Sequence, residues 1–231
     1  MSERESSNTE QLQNYYNLRA NEYESVYDFV EPLRRQELQK VERLIASQFV
    51  GRTVLEVACG AGYWTQRLAE VAKSVHAIDG SQEMLNVAQA KHYKHPVVTF
   101  DKFNAYALAS RDEMYDAALA GFWLSHVPQE NMESFLKGFH QRLKPNATVL
   151  FFDNNLVEGM GGSLVTMTDS PDTFKKRRLA NGAEHIIIKN YFTAERLHEL
   201  FSPYAQSAKT TLAITAITMD SWYWSVLYQT R

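Results

Sequence analysis

The sequence predicts an α/β fold with a mostly parallel sheet and helices on both of its faces. The first observation is an apolar strand, residues 54–57, that leads through a turn containing Gly60 and Gly62 into a helix. The second is that apolar, β-branched runs alternate with helical segments along the next hundred residues. The third is composition, since 231 residues with 45% hydrophobic and 22% charged side chains suit one α/β domain with a sizeable core.

The glycine turn after the first strand predicts a ligand-binding loop. Two glycines let a backbone approach a ligand closely, and the following helix offers free N–H groups at its start. The spacing is E-x-A-x-G-x-G, from Glu56 to Gly62, so it is neither the G-x-G-x-x-G of dinucleotide sites nor a phosphate loop with its lysine. An acid beside the loop would repel a pyrophosphate, but it suits a ligand that carries an ammonium group and no phosphate.

Four further strands are predicted in order after this unit. The second strand ends at Asp79, where an acid accepts hydrogen bonds from both hydroxyls of a ribose, and a helix from about Gln82 to Lys91 follows it. The other runs are residues 97–100 with the turn 103–105, residues 115–122, and residues 143–153.

These motifs, taken in order, resemble those of the class I S-adenosylmethionine-dependent methyltransferases. Ala58 replaces the first glycine of the family's E-x-G-x-G-x-G motif, and Asn104 stands where the family most often has Asp. An asparagine still meets the adenine amino group through its carbonyl oxygen. By position, the resemblance implies that S-adenosyl-L-methionine is bound by Glu56, Ala58, Cys59, Gly60, Gly62, Asp79, Gly80, Met84, Asn104, Ala105, Gly121 and Phe122.

The resemblance also implies the architecture of the chain. It implies a Rossmann-like class I methyltransferase fold whose seven strands have the order 3-2-1-4-5-7-6. We expect one domain with four parts: an N-terminal helical cap (1–50), a cofactor-binding core (51–155), a lid insertion (156–190), and a C-terminal helix with a closing strand pair (191–231). The closing pair is expected at residues 208–216 and 222–229.

The helical cap carries a second set of candidate contacts. Tyr15, Tyr16, Arg19 and Tyr23 resemble the Y-x-x-R-A-x-x-Y entry of many small-molecule methyltransferases, where this segment covers the cofactor and touches the acceptor. Tyr16, Arg19 and Tyr23 are therefore cofactor candidates, and Tyr16 is also an acceptor candidate. Arg19 has a planar fork that suits a cofactor carboxylate. The alternative is that the tyrosines pack as amphipathic residues with their hydroxyls in water.

The lid insertion is predicted to be a β-hairpin. Two runs, 174–179 and 184–189, flank an Asn-Gly turn at residues 181–182. Lys175 and Lys176 are expected to face solvent. Since strand neighbours point to opposite faces, one of Arg177 and Arg178 points the other way, where it could meet an anionic acceptor, and we assign that position to Arg178. The alternative is a flap that only protects the sheet edge.

His126 is the candidate catalytic residue. It follows the fourth strand, at the expected start of a helix, where an imidazole takes a proton from a hydroxyl or ring N–H near neutral pH. The alternative is a histidine that packs against the cofactor or caps the loop before Pro128. Phe122 and Trp123 are expected to wall the cofactor or acceptor, and Trp123 is counted as an acceptor contact. The alternative is that both side chains only pack in the hydrophobic core.

A metal site is not expected. Asp153 and Asn154 resemble the Asp-Asn pair that helps to hold magnesium in catechol O-methyltransferases, but the fourth strand ends in Ala120 and Gly121 instead of an acid. Three hard oxygen ligands cannot be assembled there. Asp153 or Asn154 is instead expected to orient an acceptor.

Charge and cysteine content limit the partners. A net charge of −3 and a pI near 6.2 argue against a nucleic-acid substrate. With the single Cys59, no signal peptide and no long apolar run, we expect a cytoplasmic protein that does not bind membranes, as a monomer or homodimer.

The predicted function is methyl transfer from S-adenosylmethionine to an O or N atom of a small metabolite. An aromatic or heterocyclic acceptor is expected from the tyrosine and tryptophan content around the site. Two alternatives stay open, because one fold hosts many chemistries. One is an enzyme that consumes the cofactor without methylation, for example by cyclising it, and the other is a non-catalytic cofactor-binding protein.

Overall fold

The computed structural model describes residues 3–20, 23, 27, 31–94, 98–179, 181–206 and 216–231, with the backbone alone for 3–10. The helices are α1 (Glu3–Arg19), α2 (Pro32–Gln48), α3 (Tyr63–Ala69), α4 (Gln82–Gln89), α5 (Met132–His140) and α6 (Ala194–Phe201). The strands are β1 (Thr53–Val57), β2 (Ser74–Asp79), β3 (Val98–Lys102), β4 (Tyr115–Gly121), β5 (Leu143–Asn154), β6 (Leu164–Thr166), β7 (Thr173–Arg178), β8 (Glu184–Ile188), β9 (Ala216–Met219) and β10 (Tyr223–Gln229).

The central sheet has the order β3-β2-β1-β4-β5-β10-β9. Strands β1 to β5 run parallel, whereas β10 is antiparallel to both β5 and β9. Because β6 to β8 form a separate sheet, the central strands counted alone read 3-2-1-4-5-7-6, and the predicted order is confirmed. The carboxyl ends of the parallel strands therefore meet at one edge, where such sheets bind ligands.

Helices cover both faces of this sheet. On one face, α2, α3 and α4 bury Ile45, Leu68 and Leu85 against β-strand residues. On the other face, α5 and α6 bury Phe139 and Phe201. Each such side chain contributes about 1.5–3 kcal/mol when fully buried, so these two layers hold the sheet edge rigid under the site.

The lid insertion is a three-stranded antiparallel sheet in the order β6-β7-β8. Strands β7 and β8 form the predicted hairpin, with Arg178 opposite Glu184. Strand β6 was not predicted, since three residues carry too short a pattern to be recognised. Helix α1 packs on the hairpin through a cluster of Tyr15, Leu179 and Ile187.

Two predicted boundaries differ from the structure. The first strand of the closing pair was expected at residues 208–216, of which only Ala216 lies among the described residues, and β9 begins there. The helix after Asp79 was expected to reach Lys91 but ends at Gln89, where the N–H of Ala90 bonds to the carbonyl oxygens of Asn86 and Ala88.

Ala58 adopts a left-handed backbone, with φ of 56°, in the turn after β1. This conformation costs an L-residue about 1–2 kcal/mol, and glycine avoids that cost. Glycine also gives the unfolded chain more conformational entropy, which offsets about 0.4–1 kcal/mol of the gain in stability. We therefore expect Ala58→Gly to raise the free energy of unfolding by about 0.5–1 kcal/mol, measured by urea denaturation. Ala61→Gly is the matched control, since the buried Ala61 has no positive φ and should lose stability. An equal loss of stability in the two variants would contradict the backbone strain assigned to Ala58.

Candidate functional site

A cavity opens at the carboxyl edge of β1, β2 and β4. It encloses about 970 Å³ of space between atoms, with its open mouth included. The predicted site residues that line it are Tyr16, Tyr23, Ala58, Gly60, Asp79, Gly80, Met84, Asn104, Ala105, Gly121, Phe122, Trp123 and His126. Lining residues that the sequence analysis did not select include Leu12, Gln13, Ser81, Tyr106 and Ile188, which have no local motif.

Asp79 braces the glycine turn from the end of β2. Its Oδ2 accepts a hydrogen bond from the backbone N–H of Gly60 at 2.8 Å, and its Oδ1 accepts one from the N–H of Ser81 at 2.8 Å. Burial raises the pKa of Asp79, and the backbone N–H groups oppose that rise. The carboxylate therefore both lines the cavity and fixes the loop that approaches it.

The glycines of the site serve different purposes. A Cβ on Gly60 would lie 3.7 Å from Cε1 of Tyr23, in the cavity. Gly62 does not line the cavity: a Cβ there would lie 2.7 Å from Oη of Tyr93 and 3.0 Å from Cβ of Ala88, so the glycine lets α3 pack on α4. Its prediction as a cofactor contact is corrected to a packing role.

Glu56 and Cys59 do not line the cavity either. Glu56 is 1% exposed, because it lies one residue before the end of β1 and is enclosed by the core, and burial raises its pKa to about 8. Cys59 is buried among the α2, α3 and β1 residues, and burial raises the pKa of its thiol. The predicted ammonium partner is thus uncharged in most molecules at neutral pH and lies below the cavity surface.

His126 is held between the cap and the lid. It ends a single 3-10 turn, Leu124–His126, rather than starting a helix. Its Nδ1 lies 2.7 Å from the carbonyl oxygen of Ile188, and its Nε2 lies 2.9 Å from Oη of Tyr16. A carbonyl oxygen only accepts, so Nδ1 carries the proton and Nε2 accepts from the Tyr16 hydroxyl.

The electrostatics of His126 do not support a base that titrates near neutral pH. Burial, aided by the Lys189 ammonium, lowers its pKa to about 3. Burial also raises the pKa of Tyr16 well above its ordinary value. The pair is therefore neutral at physiological pH, and His126 acts on the site by orienting Tyr16.

Acid is expected to destabilise the fold through His126. The unfolded chain binds a proton near pH 6.5, whereas the folded chain binds it only near about pH 3. The contribution to stability is therefore complete above about pH 6.5 and falls as the pH falls toward about 3. Urea unfolding at about pH 7.5 and about pH 5 should show a smaller acid loss for His126→Asn than for the wild type. Part of the pH dependence of stability should remain in His126→Asn, because burial lowers the pKa of His140 to about 4 as well. His92→Asn is the control, since His92 is exposed, and it should behave as wild type.

A second cavity adjoins the first and shares four residues with it: Tyr16, Tyr23, Phe122 and His126. It is also lined by Arg19, Asn154, Arg177, Lys189 and Tyr191. Arg19 was expected at the cofactor and instead lies here, with its guanidinium over the rings of Tyr15 and Tyr23 at 5.5 and 5.6 Å. Asn154 lines this cavity, beside the position expected for an acceptor.

The assignment of Arg178 to the acceptor is wrong. Arg178 is exposed beside the hairpin turn, whereas Arg177 lines the second cavity. Lys175, expected in solvent, is 3% exposed, and its Nζ donates to the carbonyl oxygens of Met160 and Gly162. Side chains of β7 do alternate between two faces, as predicted. Which set faces the cavity depends on the pairing of β7 with β6 and β8, and the local sequence does not reveal that pairing.

Lys189 joins the lid to the core in a buried network. Its Nζ donates to Oδ1 of Asp153 at 2.8 Å and to Oγ of Ser125 at 2.7 Å. Oδ2 of Asp153 accepts from the N–H of Ser125 at 3.0 Å. The sequence analysis missed this network, because its members lie on three separate elements and belong to no motif.

Phe122 and Trp123 form the wall after β4. Phe122 has a left-handed backbone, φ 56°, held by its N–H bond to the carbonyl oxygen of Phe152 at 2.8 Å, and its ring lines both cavities. Such strain in a bulky residue is typical of functional sites. Trp123 packs against Tyr106 and Phe135, so it is shared between cavity and core.

Two features are absent from the described part of the chain. No group of three His, Cys, Asp or Glu side chains is arranged to hold a metal ion there. Among the same residues, no helix has the length and apolar character needed to cross a membrane.

Comparisons with known proteins agree on one family. A family model described as "Methyltransferase domain" matches residues 54–146. Demethylmenaquinone methyltransferase of Lysinibacillus sphaericus (strain C3-41) is 32% identical over 111 residues, 47% of each chain. Ubiquinone biosynthesis O-methyltransferase of Paraburkholderia xenovorans (strain LB400) is 31% identical over 107 residues, 46% of this chain and 45% of that protein. The matches therefore span about half the length of these relatives.

The likeness to solved structures extends over nearly the whole chain. The solved DhpI-SAM-HEP complex has a TM-score of 0.74 and 26% sequence identity, over 95% of this chain and 96% of the other. The cap and the lid insertion are therefore included in the likeness, in addition to the central sheet.

Proposed function

Because the chain belongs to the class I S-adenosylmethionine-dependent methyltransferases, we propose that it transfers the methyl group of S-adenosylmethionine to an O or N atom of a small molecule. The observation that carries the proposal is the braced turn, in which Asp79 holds the N–H of Gly60 at the rim of the first cavity. The same carboxylate has the chemistry to accept both hydroxyls of a ribose.

The first cavity suits each part of S-adenosylmethionine. Asn104 and Ala105 follow β3, where an amide oxygen meets the adenine amino group. Asp79 receives the ribose, and Gly60 leaves room for the chain beyond it. Arg19 lines only the second cavity, beside the shared residue Tyr23, and from there its planar guanidinium receives the carboxylate of the methionine portion.

The second cavity receives the methyl acceptor. Bound S-adenosylmethionine supplies an electrophilic methyl group on a sulfonium. The residues shared by the cavities, Tyr16, Tyr23, Phe122 and His126, surround the point where acceptor and methyl group meet. Because the Tyr16 hydroxyl donates its hydrogen bond to His126, the Tyr16 oxygen is left to accept a hydrogen bond from a methyl acceptor and so to orient it.

The acceptor is aromatic or heterocyclic. Tyrosine and tryptophan rings line the second cavity, among them Tyr27, Tyr191 and Trp222, and flat faces of this kind suit a planar ligand. The names of the demethylmenaquinone and ubiquinone relatives support a ring-bearing acceptor.

Product analysis tests this function. The protein is incubated with S-adenosylmethionine and a panel of phenols, N-heterocycles and aromatic acids, and products are identified by mass spectrometry. S-adenosylhomocysteine with a methylated acceptor is expected. Methylthioadenosine would instead indicate a cyclising enzyme, and binding without any product would indicate a cofactor-binding protein.

Gly60→Val is the matched binding variant. It should abolish S-adenosylmethionine binding in calorimetry, because its side chain fills the space between the turn and Tyr23. Gly51→Val is its control, since Gly51 also has a positive φ, 69°, but no atom lies within 4 Å of its Cβ position. Both variants carry the backbone strain, so loss of binding in both, or in neither, would contradict the assigned cavity.

A further inference from the structure

We propose that the acceptor carries an anionic oxygen, a carboxylate or phosphoryl oxyanion, that Arg177 and Lys189 hold in the second cavity and that is itself methylated. This inference rests on the proposed function and names its substrate class. It is carried by Arg177, which has no carboxylate within ion-pairing distance among the described residues, and by Lys189, whose carboxylate partner Asp153 does not line the cavity.

Arg177 has a buried hydrogen-bond donor without a partner. It lies on β7 with its side chain in the second cavity, and its Nε is buried without a hydrogen-bond partner. Among the described residues, no carboxylate lies within ion-pairing distance of it. A buried donor of a charged group without a partner costs free energy of desolvation. A ligand that accepts hydrogen bonds from the planar guanidinium would offset that cost.

Arg177 is also held in place. A Cβ on Gly161 would lie 2.7 Å from its Nη1, and one on Gly162 would overlap the carbonyl oxygen of Lys176. The loop before β6 thus passes directly over β7, and the absence of side chains at Gly161 and Gly162 lets the loop lie close against the guanidinium. An arginine confined in this way loses little conformational freedom when it binds an anion.

Lys189 provides the second cation. Two of its three N–H donors bond Asp153 and Ser125, and the residue also lines the second cavity. Burial lowers the pKa of Lys189 and the Asp153 carboxylate opposes that shift. An ammonium group has a third donor that can bond a ligand. Asn154 adds an amide to the same wall.

The second cavity is electropositive. Arg19, Arg34, Arg177 and Lys189 line it, and no Asp or Glu lies among its described lining residues. Arg34 has its own partner, since its Nε donates to Oη of Tyr223 at 2.6 Å. The cations also influence one another: burial lowers the pKa of Lys175, and the charges of Arg177 and Lys189 lower it further.

An oxyanion matches the chemistry at the junction. A lone pair of the oxyanion forms the new O–C bond, the C–S bond breaks, and its electron pair stays on sulfur, which becomes the neutral thioether of S-adenosylhomocysteine. The acceptor loses one negative charge and the sulfonium its positive charge, so no proton is released. A neutral His126, with a pKa of about 3, is therefore sufficient.

The test measures binding to the protein loaded with S-adenosylhomocysteine. Calorimetry is run with acetate, benzoate, methylphosphonate and phenylphosphonate, and with benzyl alcohol and benzamide as neutral counterparts. We expect at least one anion to bind at least tenfold more tightly than the neutral ligands, and the carboxylate and phosphonate arms identify the headgroup. Arg177→Gln should lower that affinity at least tenfold without changing the affinity for S-adenosylhomocysteine.

Arg178→Gln is the matched control, because Arg178 is the exposed neighbour on the same strand, and it should behave as wild type. The proposal is overturned if neutral ligands bind as well as the anions, if no anion of the panel binds, or if both arginine variants behave alike. Failure of S-adenosylhomocysteine to bind the wild-type protein would instead overturn the proposed function.

Discussion

Replacing Asp79 by asparagine is expected to weaken the binding of S-adenosylmethionine about 100-fold. Two hydrogen bonds from ribose hydroxyls to a charged carboxylate contribute about 1.5–3 kcal/mol each, and an amide oxygen recovers part of that. A net loss of about 3 kcal/mol corresponds to the stated factor. Calorimetric titration at neutral pH measures it.

The same substitution has a second effect. Asp79 accepts from two backbone N–H groups, those of Gly60 and Ser81, and an asparagine amide cannot accept with both of its ends. The turn is therefore expected to lose about 1–3 kcal/mol of stability, which urea unfolding reports separately. Asp101→Asn is the control, since this half-exposed carboxylate on β3 bonds Arg111 outside the cavity. Unchanged affinity in a folded Asp79→Asn protein would contradict the ribose assignment.

Replacing Lys189 by methionine is expected to cost about 3–5 kcal/mol of the free energy of unfolding. The substitution leaves Asp153, which is 0% exposed, without its cation in the protein interior. Burial favours protonation of Asp153, but the Lys189 ammonium outweighs it, and the pKa of Asp153 lies below its ordinary value. That stabilisation is present above the unfolded pKa and is lost as the pH falls through the folded pKa.

Two further variants isolate the buried pair. Lys176→Met removes an exposed pair with Glu184 on the same hairpin and should cost about 0–1 kcal/mol. The double variant Asp153→Asn with Lys189→Met removes both charges and should recover part of the loss. If Lys189→Met costs no more than Lys176→Met, the network does not anchor the lid.

Strand order and most of the first cavity were predictable from sequence, because most of the residues that line the cavity lie within a few residues of a strand end. Asp79, Gly60 and Asn104 are local features of this kind, since a tip acid and a glycine turn define their own surroundings. Gly62 and Gly121 show the limit of such motifs. A Cβ on Gly121 would lie 2.2 Å from Cζ of Phe152, so packing explains that glycine without a ligand.

The second cavity was much less predictable. Its parts come from the cap, the lid and the ends of β4 and β5, and Tyr16 meets His126 across 110 positions of sequence. The choice between Arg177 and Arg178 depended on strand register, which long-range pairing decides. The low pKa of His126 depends on burial and on Lys189, and neither is visible in the residues around it.

Helix α1 lies over the first cavity and rests on the lid. Leu12, Gln13 and Tyr16 lie over the cavity, and Tyr15 joins the helix to the hairpin. Because this contact is small, separating α1 from the lid is expected to need less free energy than opening the helix layers on either face of the central sheet. A ligand held in the first cavity lies beneath this contact, so we expect its exchange to depend on how readily α1 lifts from the lid. Changes at the apolar contact would then alter the catalytic rate from outside the reacting atoms.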